Sequence, residues 1–186
     1  AKGLDPIANW PALKSLLHAQ ADKRAVNLSR GSKLTLDASN AVLAPSLSLL
    51  KVSPVTGPTV TVPTNGVLTF AVDVTEPMYV AGSVSIAADP ADLRPGLRAY
   101  VLSDTTVVGA PMIYQKAPPG AQQPDFNSPG EMPAKKAPLR TWRLEPGRHY
   151  ISIAGPHYRA AGGFESLELQ GLRIIPKTPK YTFVQF

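Results

Sequence analysis

Apolar and polar positions alternate along most of the chain, most cleanly between Val67 and Ile86. Leu68, Phe70, Val72 and Val74 share one parity before a break at Pro77, and Val80, Gly82, Val84 and Ile86 share one after it. Period two is the signature of half-buried strands. Each such strand has one apolar face to cover, and no long amphipathic helix is present to cover it. The pattern therefore predicts an all-β fold, an antiparallel β-sandwich or jelly roll of about eight to ten strands.

Further strands are predicted at Lys33 to Asp37, Ser46 to Val52, Thr59 to Val62, Leu97 to Leu102 and Pro111 to Tyr114. Pro45, Pro54, Pro58 and Pro63 cannot donate to a ladder and belong at strand ends or edges. Thr141 to Leu144 and His149 to Ala154 read as a hairpin turning at Glu145-Pro146-Gly147, with Trp142, Leu144, Ile151 and Ile153 inward. Glu165 to Ile174 supplies another strand with a bulge expected near Gly171, and Tyr181 to Phe186 closes the chain.

Residues 1–30 read differently, as an N-terminal arm ahead of a β-domain at 31–186. Asn9 is placed to cap a short helix with Pro11 in its first turn, and Leu13, Leu16, Leu17 and Ala21 form a narrow apolar stripe. A helix of two to three turns is not stable alone in water. Its stripe and Trp10 must therefore pack on the sandwich or on a neighbouring subunit. Residues 115–138 hold Pro118, Pro119, Pro124, Pro129, Pro133 and Pro138 and read as a long loop of the binding or interface kind. Phe126 and Met132 are its candidate anchors, with Lys135 and Lys136 at the rim.

Composition narrows the chemistry. The 186 residues suffice for one domain, and the absence of cysteine removes thiol nucleophiles, disulfide frameworks and Cys-based zinc sites. No apolar run approaches the ~20 residues of a membrane span, and a soluble mature chain is expected. The net charge of +6 is uneven: seven bases against three acids over residues 1–60, two against five over 61–110, and ten against five over 111–186. Positive ends suit an acidic partner, an anionic glycan or, more weakly, nucleic acid, although dispersed bases also serve simply to solvate a surface.

Catalytic constellations are missing. There is no G-x-S-x-G elbow and no Gly-rich phosphate loop, and His18, His149 and His157 stand near no Ser or Asp motif. Glu165 and Glu168 stand three positions apart, an odd spacing that on a regular strand sends them to opposite faces. Asp89, Asp92 and Asp104 are the residues that could gather around calcium, but Asp89-Pro90 is also an ordinary turn opener. Neither an enzyme nor a metal or other cofactor is expected. Aromatic and basic residues coincide once: with Ile151 and Ile153 inward, Arg148 and Tyr150 face outward, beside Arg143 on the strand expected to pair with them. That combination is typical of a contact surface.

Val80 to Pro95 runs a buried strand into Ala-x-Asp-Pro-x-Asp and a Pro-containing loop. This stretch of 16 residues resembles the corresponding part of jelly-roll virion structural proteins, the shell, decoration or spike subunits of small icosahedral viruses and phages. The resemblance implies a non-enzymatic subunit that self-assembles in a virion capsid as a homo-oligomer or with other structural proteins. Residues 1–33 hold only six bases, unlike a genome-packaging arm. The alternative expectation is a carbohydrate-binding or accessory β-sandwich module of a secreted protein.

Overall fold

The computed structural model describes residues 6–88, 98–111, 113–115, 135–154 and 162–174. The expected strand at Tyr181 to Phe186, the anchors Phe126 and Met132, and Asp89, Asp92 and His157 lie outside the described residues. One helix, α1 (Pro6–Asp22), precedes the strands β1 (Val26–Leu28), β2 (Lys33–Leu36), β3 (Val42–Ala44), β4 (Ser53–Pro54), β5 (Val60–Val62), β6 (Val67–Val74) and β7 (Met78–Ala88). After these come β8 (Tyr100–Ser103), β9 (Thr106–Gly109), β10 (Tyr114–Gln115), β11 (Ala137–Pro138), β12 (Trp142–Leu144), β13 (Gly147–Ala154) and β14 (Gly162–Leu172).

They form two sheets, mostly antiparallel, and the chain is a β-sandwich. The first runs β4-β3-β6-β13-β8-β9, with β1 beside the other half of β6. The second runs β10-β7-β14-β2, with β11 and β12 also along β7 and β5 along β14. The alternating residues predicted to be apolar are the core: Leu68, Phe70, Val72 and Val74 of β6 meet Val80, Val84 and Ile86 of β7 between the sheets. Phe70 and Phe164 touch across that core with ring centroids 5.5 Å apart. Burying each such side chain contributes about 1.5–3 kcal/mol.

The break at Pro77 carries the chain from the first sheet to the second, since β6 and β7 share no ladder. The same happens after Leu144, and here the expected hairpin is corrected. β12 pairs with β7 of the second sheet, whereas β13 pairs with β6 and β8 of the first. Pro146 has no N–H to donate, and Gly147 adopts φ +127°, a backbone angle that side-chain-bearing residues rarely reach, so the chain can swing between sheets. The local hairpin is instead β8-β9, turning at Asp104 and Thr105, where Asp104 takes φ +53°.

Two other expectations change. Ser46 to Val52 is not a strand: the Ser46 hydroxyl accepts from the Ser48 N–H at 3.1 Å, closing a turn that leaves Leu49 and Leu50 exposed. The irregularity in β14 is not at Gly171, which pairs regularly with Val80, but between Phe164 and Ser166. Glycine stands at 171 because of close approach. A Cβ there would come within 2.4 Å of the Ser29 carbonyl oxygen.

The helix starts earlier and runs longer than expected, 17 residues from Pro6, a residue suited to a first turn. Asn9 is not its cap; it is buried and donates through Nδ2 to the Leu47 carbonyl at 2.8 Å. Leu13, Leu17 and Ala21 are buried against Val42, Ala44, Val67 and Ala71, the outward side of the first sheet. Strand β6 is thus covered on both faces, and only Asp73 along it is less than buried.

Candidate functional site

The residues expected to meet a partner divide between the two outer faces. On the first sheet Arg148 and Tyr150 do face outward, but the described contacts they make are with their own chain. Tyr150 donates its hydroxyl to Asp22 at 2.7 Å, and His18 stacks on its ring at 3.6 Å with the planes 2° apart. Arg148 grips Asp73 through two hydrogen bonds of 2.7 and 2.8 Å and reaches Asp22 at 3.2 Å. These groups fasten the C-terminal end of α1 to the sheet. Partial burial and the Asp22 contact push the Tyr150 phenol up to about 12, so it remains a donor.

Neighbouring His149 bonds Asp104 through Nδ1 at 2.7 Å. Partial burial pulls its pKa down, but the Asp104 carboxylate and the Glu145 carbonyl outweigh that and hold it above the ordinary 6.5. Leu13 and Leu17 complete the docked face of the helix. Trp10 and Leu16 are less well covered; both remain 38% exposed.

Arg143 stands elsewhere. Because β12 belongs to the second sheet, Arg143 projects from the opposite outer face, 2.8 Å from Glu145 and with its guanidinium carbon 6.0 Å from the centre of the Tyr79 ring. The patch expected from Arg143, Arg148 and Tyr150 is therefore split between the two outer faces of the sandwich.

The outer face of the second sheet collects groups that the sequence pattern alone did not single out. With Val80, Val84 and Ile86 inward, the outward positions of β7 are Tyr79, Ala81, Ser83, Ser85 and Ala87, a row of small side chains starting from a tyrosine. Strand β10 lies parallel to the far end of β7, Tyr114 opposite Ala87, and brings a second tyrosine. At about 3.3 Å per residue the two ends are about 26 Å apart.

Strand β14 forms one wall of this row, and its bulge decides which side chains point there. Phe164 pairs with Ile86 and Ser166 with Ser85, leaving Glu165 as the extra residue. That insertion resets the parity. Glu165 and Glu168 both emerge on the outer face, where Ser85 donates to Glu165 at 3.1 Å and Ser83 reaches Glu168 at 3.5 Å. The expectation that put the two carboxylates on opposite faces is corrected; it assumed a regular strand.

Each carboxylate has cationic or hydroxyl partners. Tyr114 donates to Glu165. Lys136, just before β11, lies 2.8 Å from Glu168, and Lys33 at the start of β2 lies 3.4 Å from it. Lys136 above all holds the Glu168 carboxyl below its usual range, while burial and Glu165 push the Tyr114 phenol up to about 12. Near neutral pH one is a fixed acceptor and the other a fixed donor. Lys135 is exposed beside them. Among the described residues no helix or strand lies over this face, and no group of three or more His, Asp or Glu is placed to hold a metal.

A signal for this face existed in the sequence. Glu165-Ser166 puts two polar residues in succession between the inward Phe164 and Leu167, which is what an inserted residue does to an alternating pattern. The row Tyr79, Ala81, Ser83, Ser85, Ala87 is the other half of the alternation that identified the core.

No protein-family model matches the chain, and no curated protein matches it in sequence. Solved structures resemble it at low identity. A family 35 carbohydrate binding module from Clostridium thermocellum is 12% identical with a TM-score of 0.45, covering 74% of this chain and 97% of the module. The Podospora anserina GH26-CBM35 β-(1,4)-mannanase is 14% identical with a TM-score of 0.47, over 81% of this chain but 29% of the enzyme. The mosquito-larvicidal Cry4Aa toxin from Bacillus thuringiensis also gives 0.47, at 6% identity, over 80% of this chain and 25% of the toxin. The chain spans 11% of a Paenibacillus barengoltzii β-glucosidase that it also resembles. These proteins range from a sugar-binding module to a toxin, so the likeness is one of β-architecture and assigns no ligand.

Proposed function

We propose that the protein is a non-catalytic glycan-binding module, acting outside the cell, that uses the outer face of its second sheet. The observation that carries this reading is the row of small side chains on β7, with a tyrosine at each end and Glu165, Glu168, Lys33 and Lys136 beside it. Ala81 and Ser83 are small and half-buried, so a ligand can approach the strand closely there, whereas Ser85 and Ala87 are buried beneath the Glu165 end; the tyrosines offer apolar rings, and the walls offer donors and acceptors already held in place. A polyhydroxylated chain needs that combination. Proton transfer at neutral pH favours groups whose pKa lies near the working pH. Tyr114 and Glu168 are shifted away from it, in the directions that suit binding.

The test is binding of the purified chain to a panel of soluble and insoluble polysaccharides, by affinity electrophoresis and calorimetry. Ser83→Trp fills the middle of the row from outside the core and should abolish binding while leaving the thermal transition in place. Binding unchanged in Ser83→Trp would rule this face out.

A second reading, a self-assembling structural subunit of a virion, is favoured by a different observation: Trp10 and Leu16 on α1 are large, apolar and exposed. Copies meeting there should give a native mass that is a multiple of the 19.8 kDa chain. A Trp10→Lys/Leu16→Lys double variant should then return the protein to monomer.

A further inference from the structure

The Tyr79 end of the row opens into a pocket of about 270 Å³ lined by Arg30, Arg143 and Arg173 together with Tyr79, Leu172 and Ile174. The three arginines line it from three separate segments: the turn after β1, strand β12 and the residue after β14. Two of them already have partners. Arg30 donates to the Pro77 carbonyl at 2.7 Å and lies 3.9 Å from Glu76, and Arg143 is paired with Glu145.

Arg173 is different. Among the described residues it has no hydrogen bond or ion pair. Its side chain packs over Gly31, which sits at φ +81°; a Cβ on that residue would come 2.3 Å from Arg173 Nε. Among the described residues the pocket thus holds three positive charges against Glu76 and Glu145. Around it are the Tyr79 ring and Leu172, with Ile174 81% exposed, so the pocket is open to water and a ligand can reach the arginines directly.

We propose that this pocket binds one oxyanion, a carboxylate or sulfate group carried by an acidic carbohydrate whose neighbouring sugars lie along the β7 row. This rests on the glycan-binding reading and names the class of glycan. Guanidinium groups match planar and tetrahedral oxyanions with paired hydrogen bonds. A nucleic acid fits less well. Its evenly spaced phosphates would run past Glu145, Glu168 and Glu165 on the same face, whereas a single charged group meets only the arginines.

The experiment titrates the full chain, in 0.15 M salt, with three oligosaccharides of equal length: one neutral, one ending in a single uronate and one carrying a single terminal sulfate ester. At least one acidic ligand should bind about tenfold or more tightly than the neutral one, the scale of a single charge-assisted hydrogen bond lost or gained. Arg173→Ala should remove that preference without changing thermal stability, and Arg173→Lys should restore part of it. Which acid wins distinguishes carboxylate from sulfate. Acidic and neutral ligands binding equally would overturn the oxyanion pocket and leave the glycan face standing. A preference that survives Arg173→Ala, or equal binding of a single-stranded oligonucleotide, would also overturn it. No binding of any of the three would overturn both readings.

Discussion

Among single residues, the two histidines beside α1 pull in opposite directions. His149 has a pKa raised above 6.5, so its stabilising contribution is full below that value and is lost as pH rises through the folded pKa. His18 is lowered, by burial first and Lys14 second, so its contribution is present above 6.5 and lost as pH falls through the folded pKa. His149→Gln should therefore destabilise more at pH 5.5 than at pH 8, and His18→Gln more at pH 8 than at pH 5.5. Urea midpoints at the two pH values check both signs. Trp142 gives a second outcome of this kind. It packs on the core only partly buried, and its Nε1 is buried with no hydrogen-bond partner among the described residues. Trp142→Ala should cost about 2–3 kcal/mol, below the figure for fully buried tryptophans, while Trp142→Phe removes the unmatched donor and should be nearly neutral.

Among the elements, the helix and the bulge carry the predictions. Leu17→Ala should cost about 2–5 kcal/mol, because Leu17 is fully buried between α1 and the first sheet, whereas Trp10→Ser should stay within about 0.5 kcal/mol. Chemical denaturation of the two variants separates a helix docked by Leu13, Leu17 and Ala21 from one docked by its whole apolar stripe. Deleting Glu165 should restore plain alternation, with Phe164 and Leu167 still inward and Ser166 still outward; the sandwich should stay folded, while the Ser85 and Tyr114 hydrogen bonds are lost and any glycan binding weakens with them. These elements also mark how far local sequence signals reach. Alternation in β6 and β7 is such a signal, and it is enough by itself to place Phe70, Val72, Val80 and Val84 in the core. Choosing between the two packing partners of the helix, or between a hairpin and a sheet change at Pro146, depends on contacts made far along the chain. A one-residue bulge is weaker still as a signal, yet it moves Glu165 and Glu168 onto one face.

Across the whole molecule the two outer faces are unlike. The first is roofed by α1 and fastened by Tyr150, Arg148 and Asp22; the second presents small residues, tyrosines and paired charges with no described helix or strand over it. The sandwich itself was legible, because two sheets are what many half-buried strands without amphipathic helices can build. The site was legible only as residue types, since Arg30, Arg143 and Arg173 come from segments that only the folded topology brings together. The glycan reading and the oxyanion pocket both depend on ligand meeting the second outer face and not the first. Backbone amide shifts of the labelled full chain, followed during titration with an acidic oligosaccharide, report which face is touched. Saturable shifts are expected at Tyr79, Ser83, Ser85, Tyr114, Glu168 and Arg173, with Leu13, Leu17 and Tyr150 unmoved. Saturable shifts confined to Trp10, Leu16 and the rest of α1, or none on β7 and β14 at ligand concentrations that saturate binding, would show that the second face is not the binding surface.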